Sequence, residues 1–144
     1  TLQSAGAALE VIDIPELALR NIAAQLEQDA RGQAMLFFGA ERGLITLTPD
    51  ATLYLARSMD IGYQQLLATP ELVDRLALEL QRSMDYYDRH FQQAPITAIT
   101  LCPLPEALPQ LEDIVEVHEP IDADQFAQCV LAIGAALRTE PAQL

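Results

Sequence analysis

Few stretches of this chain combine residue types that could do chemistry. Asp60-Ile61-Gly62 has the letters of a turn whose carboxylate holds a metal while its glycine lets the backbone approach a phosphate. It follows the third expected strand rather than the first, which favours a plain strand-to-helix connection. Asp85, Asp88 and His90, flanked by Arg82 and Arg89, offer ligand types for a divalent cation. On a helix, steps of three and two residues do not bring all three to one face, so a solvated face with weak ion pairs is the expectation. The adjacent Tyr86 and Tyr87 project about 100° apart on that helix. Tyr87 fits its buried stripe, and Tyr86 is either a partner contact or a rim residue. Cys102 and Cys129 are expected to be small buried hydrophobes rather than a redox pair, and His118 a structural residue at a strand end.

The composition removes whole classes of activity. The 144 residues carry 21 Asp and Glu against 8 basic residues, a formal net charge of −13. Such a surface repels a phosphate backbone or an anionic lipid headgroup, so no nucleic-acid partner is expected. Every basic residue is Arg. Without lysine there is no phosphate-gripping Lys of a Walker loop, no Schiff base and no lysine general base. Two Cys and two His make neither a disulfide framework nor an all-His metal site. Hydrophobic residues make up 51% and charged residues 20%, the balance of a globular domain with one core. No apolar run reaches about 18 residues, so no direct membrane insertion is expected. No leader is expected from the opening residues, and the cytoplasm is the expected compartment. Because the sequence starts at Thr1 without Met, it is expected to be trimmed from a longer protein.

The elements that must position these residues follow from periodicity and punctuation. Ala8 to Ile12 reads as a short strand, and Asp13 with Glu16 as a capping box around Pro15. Leu19, Ile22, Ala23 and Leu26 mark the buried face of a helix that ends before Gly32. Met35-Leu36-Phe37-Phe38 is a continuous apolar run, the pattern of a fully buried central strand. A loop from Gly39 to Gly43 leads to a second strand over 44–48, Pro49-Asp50 makes a turn, and Leu53 to Arg57 forms a third strand. Thr69 as N-cap, Pro70 and Glu71 open the longest helix, whose stripe is Val73, Leu76, Leu80, Met84, Tyr87 and Phe91. Ile96 to Cys102 reads as a strand, followed by a short helical segment near Pro109 and a last strand over Ile114 to His118. Phe126, Val130, Ile133 and Leu137 give the closing helix its apolar face.

Three strands in a meander, extended by two helical crossovers, predict an α/β fold: a ribonuclease-H-like five-stranded mixed sheet of order 3-2-1-4-5 flanked by helices. The ends of the chain echo one another. Leu9 to Pro15 running into a helix matches Val115 to Pro120 running into the helix at Phe126. The expected organisation is therefore residues 1–30 as the tail of a preceding copy and 33–140 as a ribonuclease-H-like domain. Tandem copies of that unit make the actin-like fold, so the chain would be the C-terminal half of an actin-like protein.

Several motifs carry a family resemblance. Leu78-Glu79-Leu80-Gln81-Arg82-Ser83-Met84-Asp85-Tyr86-Tyr87, Ala132-Ile133-Gly134-Ala135-Ala136-Leu137-Arg138 and Ala5-Gly6 ahead of Val11-Ile12-Asp13-Ile14-Pro15 resemble stretches of the PilM-like type IV pilus assembly proteins. Arg57-Ser58-Met59-Asp60-Ile61-Gly62 is most similar to the MshI variant of mannose-sensitive haemagglutinin (MSHA) pilus biogenesis. The cytoplasmic part of GspL is a more distant relative. In members that bind ATP, the resemblance implies a D-I-G turn at the end of the first strand. Here that place reads Leu36-Phe37-Phe38-Gly39: the glycine remains and the carboxylate has become Phe. A glycine pair expected after the fourth strand is replaced by Cys102-Pro103-Leu104-Pro105, whose prolines donate no N–H. The phosphate-loop equivalent, Phe38, Gly39, Ala40, Glu41, Arg42 and Gly43, therefore reads as degenerate. Glu41 and Arg42 could mimic the lost acid, but an exposed hairpin tip is the expectation.

The resemblance implies a non-enzymatic cytoplasmic scaffold, peripheral to the inner membrane, in the assembly platform of an MSHA-type pilus. No cofactor and no metal are expected. Its partner would be the cytoplasmic tail of a single-pass inner-membrane pilus assembly protein, with an assembly ATPase engaged indirectly. A homodimer through an exposed strand edge is a further expectation. The alternative is an actin-like ATPase or nucleotide-gated switch, using ATP and magnesium, with most of its site in an N-terminal half; a small-molecule module is a weaker third. A ribonuclease-H-like nuclease is excluded because Met35 to Phe38 offers no carboxylate.

Overall fold

A computed structural model describes residues 14–26, 29–105, 108–112 and 134–137. Helix α1 spans Pro15–Ala23, and a 3₁₀ turn over Asp29–Arg31 leads to strand β1, Gln33–Phe38. Strands β2, Gly43–Thr48, and β3, Leu55–Met59, complete a meander. Helices α2, Tyr63–Ala68, and α3, Leu72–His90, cross to β4, Ala98–Leu101, and α4 covers Pro109–Glu112. The described sheet has four strands in the order β3-β2-β1-β4. β1 pairs antiparallel with β2 and parallel with β4, and β2 pairs antiparallel with β3. These are the first four places of the expected order. The fifth strand over Ile114–His118, the opening strand over Ala8–Ile12 and most of the closing helix lie outside the described residues.

Both faces of the sheet are covered, and the alternation of side chains along each strand decides which residue meets which layer. Ala34, Leu36 and Phe38 of β1, with Ile45 and Leu47 of β2, point to α2 and α3 and join Leu66, Leu76, Leu80 and Tyr87 in one core. Met35 and Leu44 point the other way, where Leu19, Ile22 and Ala23 of α1 and Cys102 close over them. Near that second core, the buried Asn21 Nδ2 donates to the Gly134 carbonyl at 2.8 Å. Gly134 itself presses on the Ala18 backbone, where a Cβ would stand 2.6 Å from the Ala18 carbonyl carbon.

Several boundaries differ from expectation. The third strand runs over Leu55–Met59 rather than Leu53–Arg57. The turn Pro49-Asp50-Ala51-Thr52 is followed by Tyr54, whose N–H goes to the Leu47 carbonyl and whose ring meets Tyr87 and Phe91 edge-on at 5.9 and 5.3 Å. Tyr54 thus keeps one backbone bond to β2 while lying just ahead of the strand. Ile14, not Asp13, is the N-cap of α1, and the helix ends before Gly32 as expected but already at Ala23, leaving Leu26 beyond it. α3 begins at Leu72 with Glu71 at its N-cap position and no side-chain cap. Thr69 does not cap it because Thr69 already closes α2, its N–H going to the Gln65 carbonyl. α2 itself lacks a periodic stripe, with Leu66 its only buried residue, and was not anticipated as a separate helix. The fourth strand covers Ala98–Leu101 rather than Ile96–Cys102, although Thr97 N–H to Gly32 O and Cys102 N–H to Leu36 O continue its bonding to β1.

Candidate functional site

In open α/β sheets, ligands collect outside the carboxyl ends of the parallel strands. Here that place is the end of β1 at Phe38-Gly39 and the end of β4 at Leu101-Cys102, beside each other because Leu36 pairs with Leu101. The β1–β2 hairpin tip rises at this end. Gly39 N–H donates to Arg42 O at 2.8 Å and closes the turn. Ala40, Glu41 and Arg42 are exposed, while Gly43 is buried.

The hairpin is braced from below by the turn after β3. The register that pairs Gly43 with Met59 brings Asp60-Ile61-Gly62 alongside the loop. Tyr63 N–H donates to Gly39 O at 3.0 Å and Gln64 N–H to Ala40 O at 3.2 Å. The first amides of α2, which at a helix start otherwise face an anion or water, therefore face hairpin carbonyls. Gly62 N–H is taken by the Gln65 side-chain oxygen at 3.0 Å. Gly62 has no room for a side chain: a Cβ would stand 2.5 Å from the Ala40 and Glu41 carbonyl carbons. Asp60 and Arg42 form a pair at 3.8 Å with side chains 88% and 80% exposed, a contact worth little in water. The Asp60 triplet thus lies next to the loop it was separated from in sequence, and it works as a strand-to-helix connection.

The two phenylalanines occupy opposite faces of β1. Phe38 is buried in the core beneath α2 and α3, and Phe37 is half-buried against the α1 layer. In a D-I-G frame ending at Gly39, the acid falls at Phe37 and Phe38 takes the Ile place. Both rings are apolar, so neither frame puts a cation ligand at this strand end. Cys102 follows directly, buried, its thiol pushed up to about 12 by desolvation, which keeps it protonated and unreactive. β1 itself thus brings no carboxylate to this end, and the exposed Asp60 stands beside the hairpin tip.

The other candidates fall elsewhere. Asp85, Asp88, Arg82, Arg89 and His90 are all exposed along α3, and among the described residues no three His, Cys, Asp or Glu side chains come together as a metal site. Tyr86 is 47% exposed and stacks on the His90 ring at 4.0 Å, whereas Tyr87 is buried and its hydroxyl donates to Ala94 O at 3.0 Å. Burial raises the Tyr87 pKa, helped by Tyr54 and Asp88. Cys129 and His118 lie outside the described residues. One cluster escaped the sequence reading. Arg57 on β3 and Arg75 and Glu79 on α3 line a polar cleft of about 140 Å³. Only the inward phase of Arg57 on β3 hinted at it.

No protein-family model and no curated protein matches the chain. Among solved structures it is similar to the PilM-PilN type IV pilus biogenesis complex, at a TM-score of 0.61 and 19% identity over 94% of this chain and 55% of that one. A Ppx/GppA family member from Aquifex aeolicus also matches, at a TM-score of 0.46 and 14% identity over 94% of this chain and 57% of that one. The chain spans a little over half the length of either structure. Its fold resembles that of about half of the PilM-PilN structure.

Proposed function

We propose that the chain is part of a non-enzymatic scaffold in a type IV pilus assembly platform, of the MSHA type. The observation that carries this reading is the end of β1. Two apolar rings, Phe37 and Phe38, stand where a nucleotide-dependent relative needs an acid, and the hairpin carbonyls occupy the first amides of α2. A body without phosphate chemistry at this place is left with holding and being held. The PilM-like fold supports the pilus setting. The partner is then a single-pass pilus assembly protein, gripped by its cytoplasmic tail under the inner membrane, with the assembly ATPase engaged indirectly. A net charge of −13 suits the basic tails that positive-inside topology provides. Among the described residues no helix is long and apolar enough to cross a membrane.

Calorimetric titration of the intact protein with magnesium ATP is expected to give no binding heat and no turnover. A synthetic basic juxtamembrane peptide from the same operon is expected to bind, more weakly as salt rises. Tight ATP binding with turnover overturns the scaffold reading.

A further inference from the structure

The described sheet ends at β3. This strand pairs with β2 along one side, and no backbone hydrogen bond leaves its other side to any described residue. An edge of this kind presents a row of N–H and C=O groups to an incoming strand. The cleft lined by Arg57, Ser58, Asp60, Arg75 and Glu79 opens along the same strand.

The charge here is close to balanced, with Asp60 and Glu79 among the arginines, where the whole chain is strongly acidic. Arg57, Arg75 and Arg82 gather at this corner of a chain with eight basic residues and a net charge of −13. Glu79 is shared between Arg57 at 2.7 Å and Arg82 at 3.1 Å. Arg75 is exposed and has no ion-pair partner among the described residues. The corner thus offers an extended backbone edge with a free guanidinium beside it. A second copy of the same edge is a poor occupant, because antiparallel pairing of two such edges would set arginine against arginine.

From this edge and this unpaired cation we infer that β3 is a docking site for an extended, acidic segment of a partner protein, added as a further strand with a carboxylate turned to Arg75. This surface differs from the grip on a basic tail and takes the opposite charge.

Amide NMR of the chain would test it, with short blocked peptides alternating valine with glutamate or valine with lysine as probes. The glutamate peptide is expected to shift the amides of Ala56 to Asp60, and Arg75→Glu to weaken that binding about tenfold. Arg75→Gln, a milder change at the same exposed site, is expected to weaken it less. An unmoved edge overturns the proposal, and so do equal shifts from the lysine peptide. Two other results overturn it in favour of another occupant: acetate alone reproducing the shifts, which marks a free-anion site, or the same amides shifting with protein concentration without peptide, which marks a second copy.

Discussion

The Glu79 carboxylate lies 2.7 Å from the Arg57 guanidinium, tying α3 to the edge strand, and its side chain is only 16% exposed. Arg82, a turn along the same helix and 57% exposed, adds a weaker contact. Glu79→Ala is expected to cost about 1–2 kcal/mol in urea unfolding, because it leaves Arg57 half-buried without its acceptor. Arg82→Ala is expected to cost less than about 0.5 kcal/mol. Equal costs for the two would show that the cross-element bond contributes nothing beyond the local pair.

The hairpin brace makes a second, paired prediction. A Cβ on Gly62 meets backbone atoms that cannot swing away, whereas one on Gly39 stands 3.3 Å from Arg42 O. Gly62→Ala is expected to destabilise by about 2 kcal/mol or more and Gly39→Ala by less than about 1 kcal/mol. Thermal melts of the two variants would check the order, and a reversed order would mean that the hairpin does not rest on the α2 turn.

The β2–β3 turn is open to improvement. Asp50 and Ala51 both have positive φ, 50° and 56°, with Thr52 N–H donating to Pro49 O at 3.1 Å, as in a type I′ turn. Alanine is strained in that conformation, and Asp-Gly is a favoured pair for it. Ala51→Gly is therefore expected to stabilise the chain by about 0.5–1 kcal/mol, net of the entropy glycine gains when unfolded. A raised urea midpoint with an unchanged slope is the expected signature; a lowered midpoint would refute the turn assignment.

Cys102 links stability to pH. Its thiol rises from 9.0 to about 12 through burial, so the fold favours the protonated form. The unfolded chain loses this proton first. The contribution is complete below the unfolded value and drains away between about pH 9 and 12, at roughly 1.4 kcal/mol per pH unit. Cys102→Ala is expected to lower stability at neutral pH and to flatten that alkaline decline. Iodoacetamide labelling read peptide by peptide is expected to spare Cys102 in the native chain at about pH 8 and to modify it in guanidinium. Fast native labelling of Cys102 would contradict its burial.

The parts of the fold that were legible were those with one dominant local signal. Met35 to Phe38 read as a central strand because a strand buried on both faces has no polar phase to hide it. The stripe from Leu76 to Tyr87 read as a long helix because its apolar residues recur every three or four positions against a polar face. Boundaries failed where a residue had two competing partners: Thr69 looked like the cap of α3 and closes α2, and Tyr54 looked like strand and joins the Tyr87-Phe91 rings. At the site, the apolar end of β1 was visible in Phe37-Phe38. The seating of Asp60-Ile61-Gly62 against the hairpin was not, since it depends on β2–β3 register. Nor was the meeting of Arg57 with Glu79, which only the docking of α3 on the edge strand creates.

The bond from Asn21 to Gly134 joins positions 113 residues apart. Contacts of such span require a long loop to close and reward the chain only once it has. A ribosome making this protein will have released α1 and the whole meander before the residue that Asn21 needs exists. Until then Ala18 and Asn21 wait without the neighbour that completes them, and synthesis of the stretch around Gly134 becomes the event that seals α1.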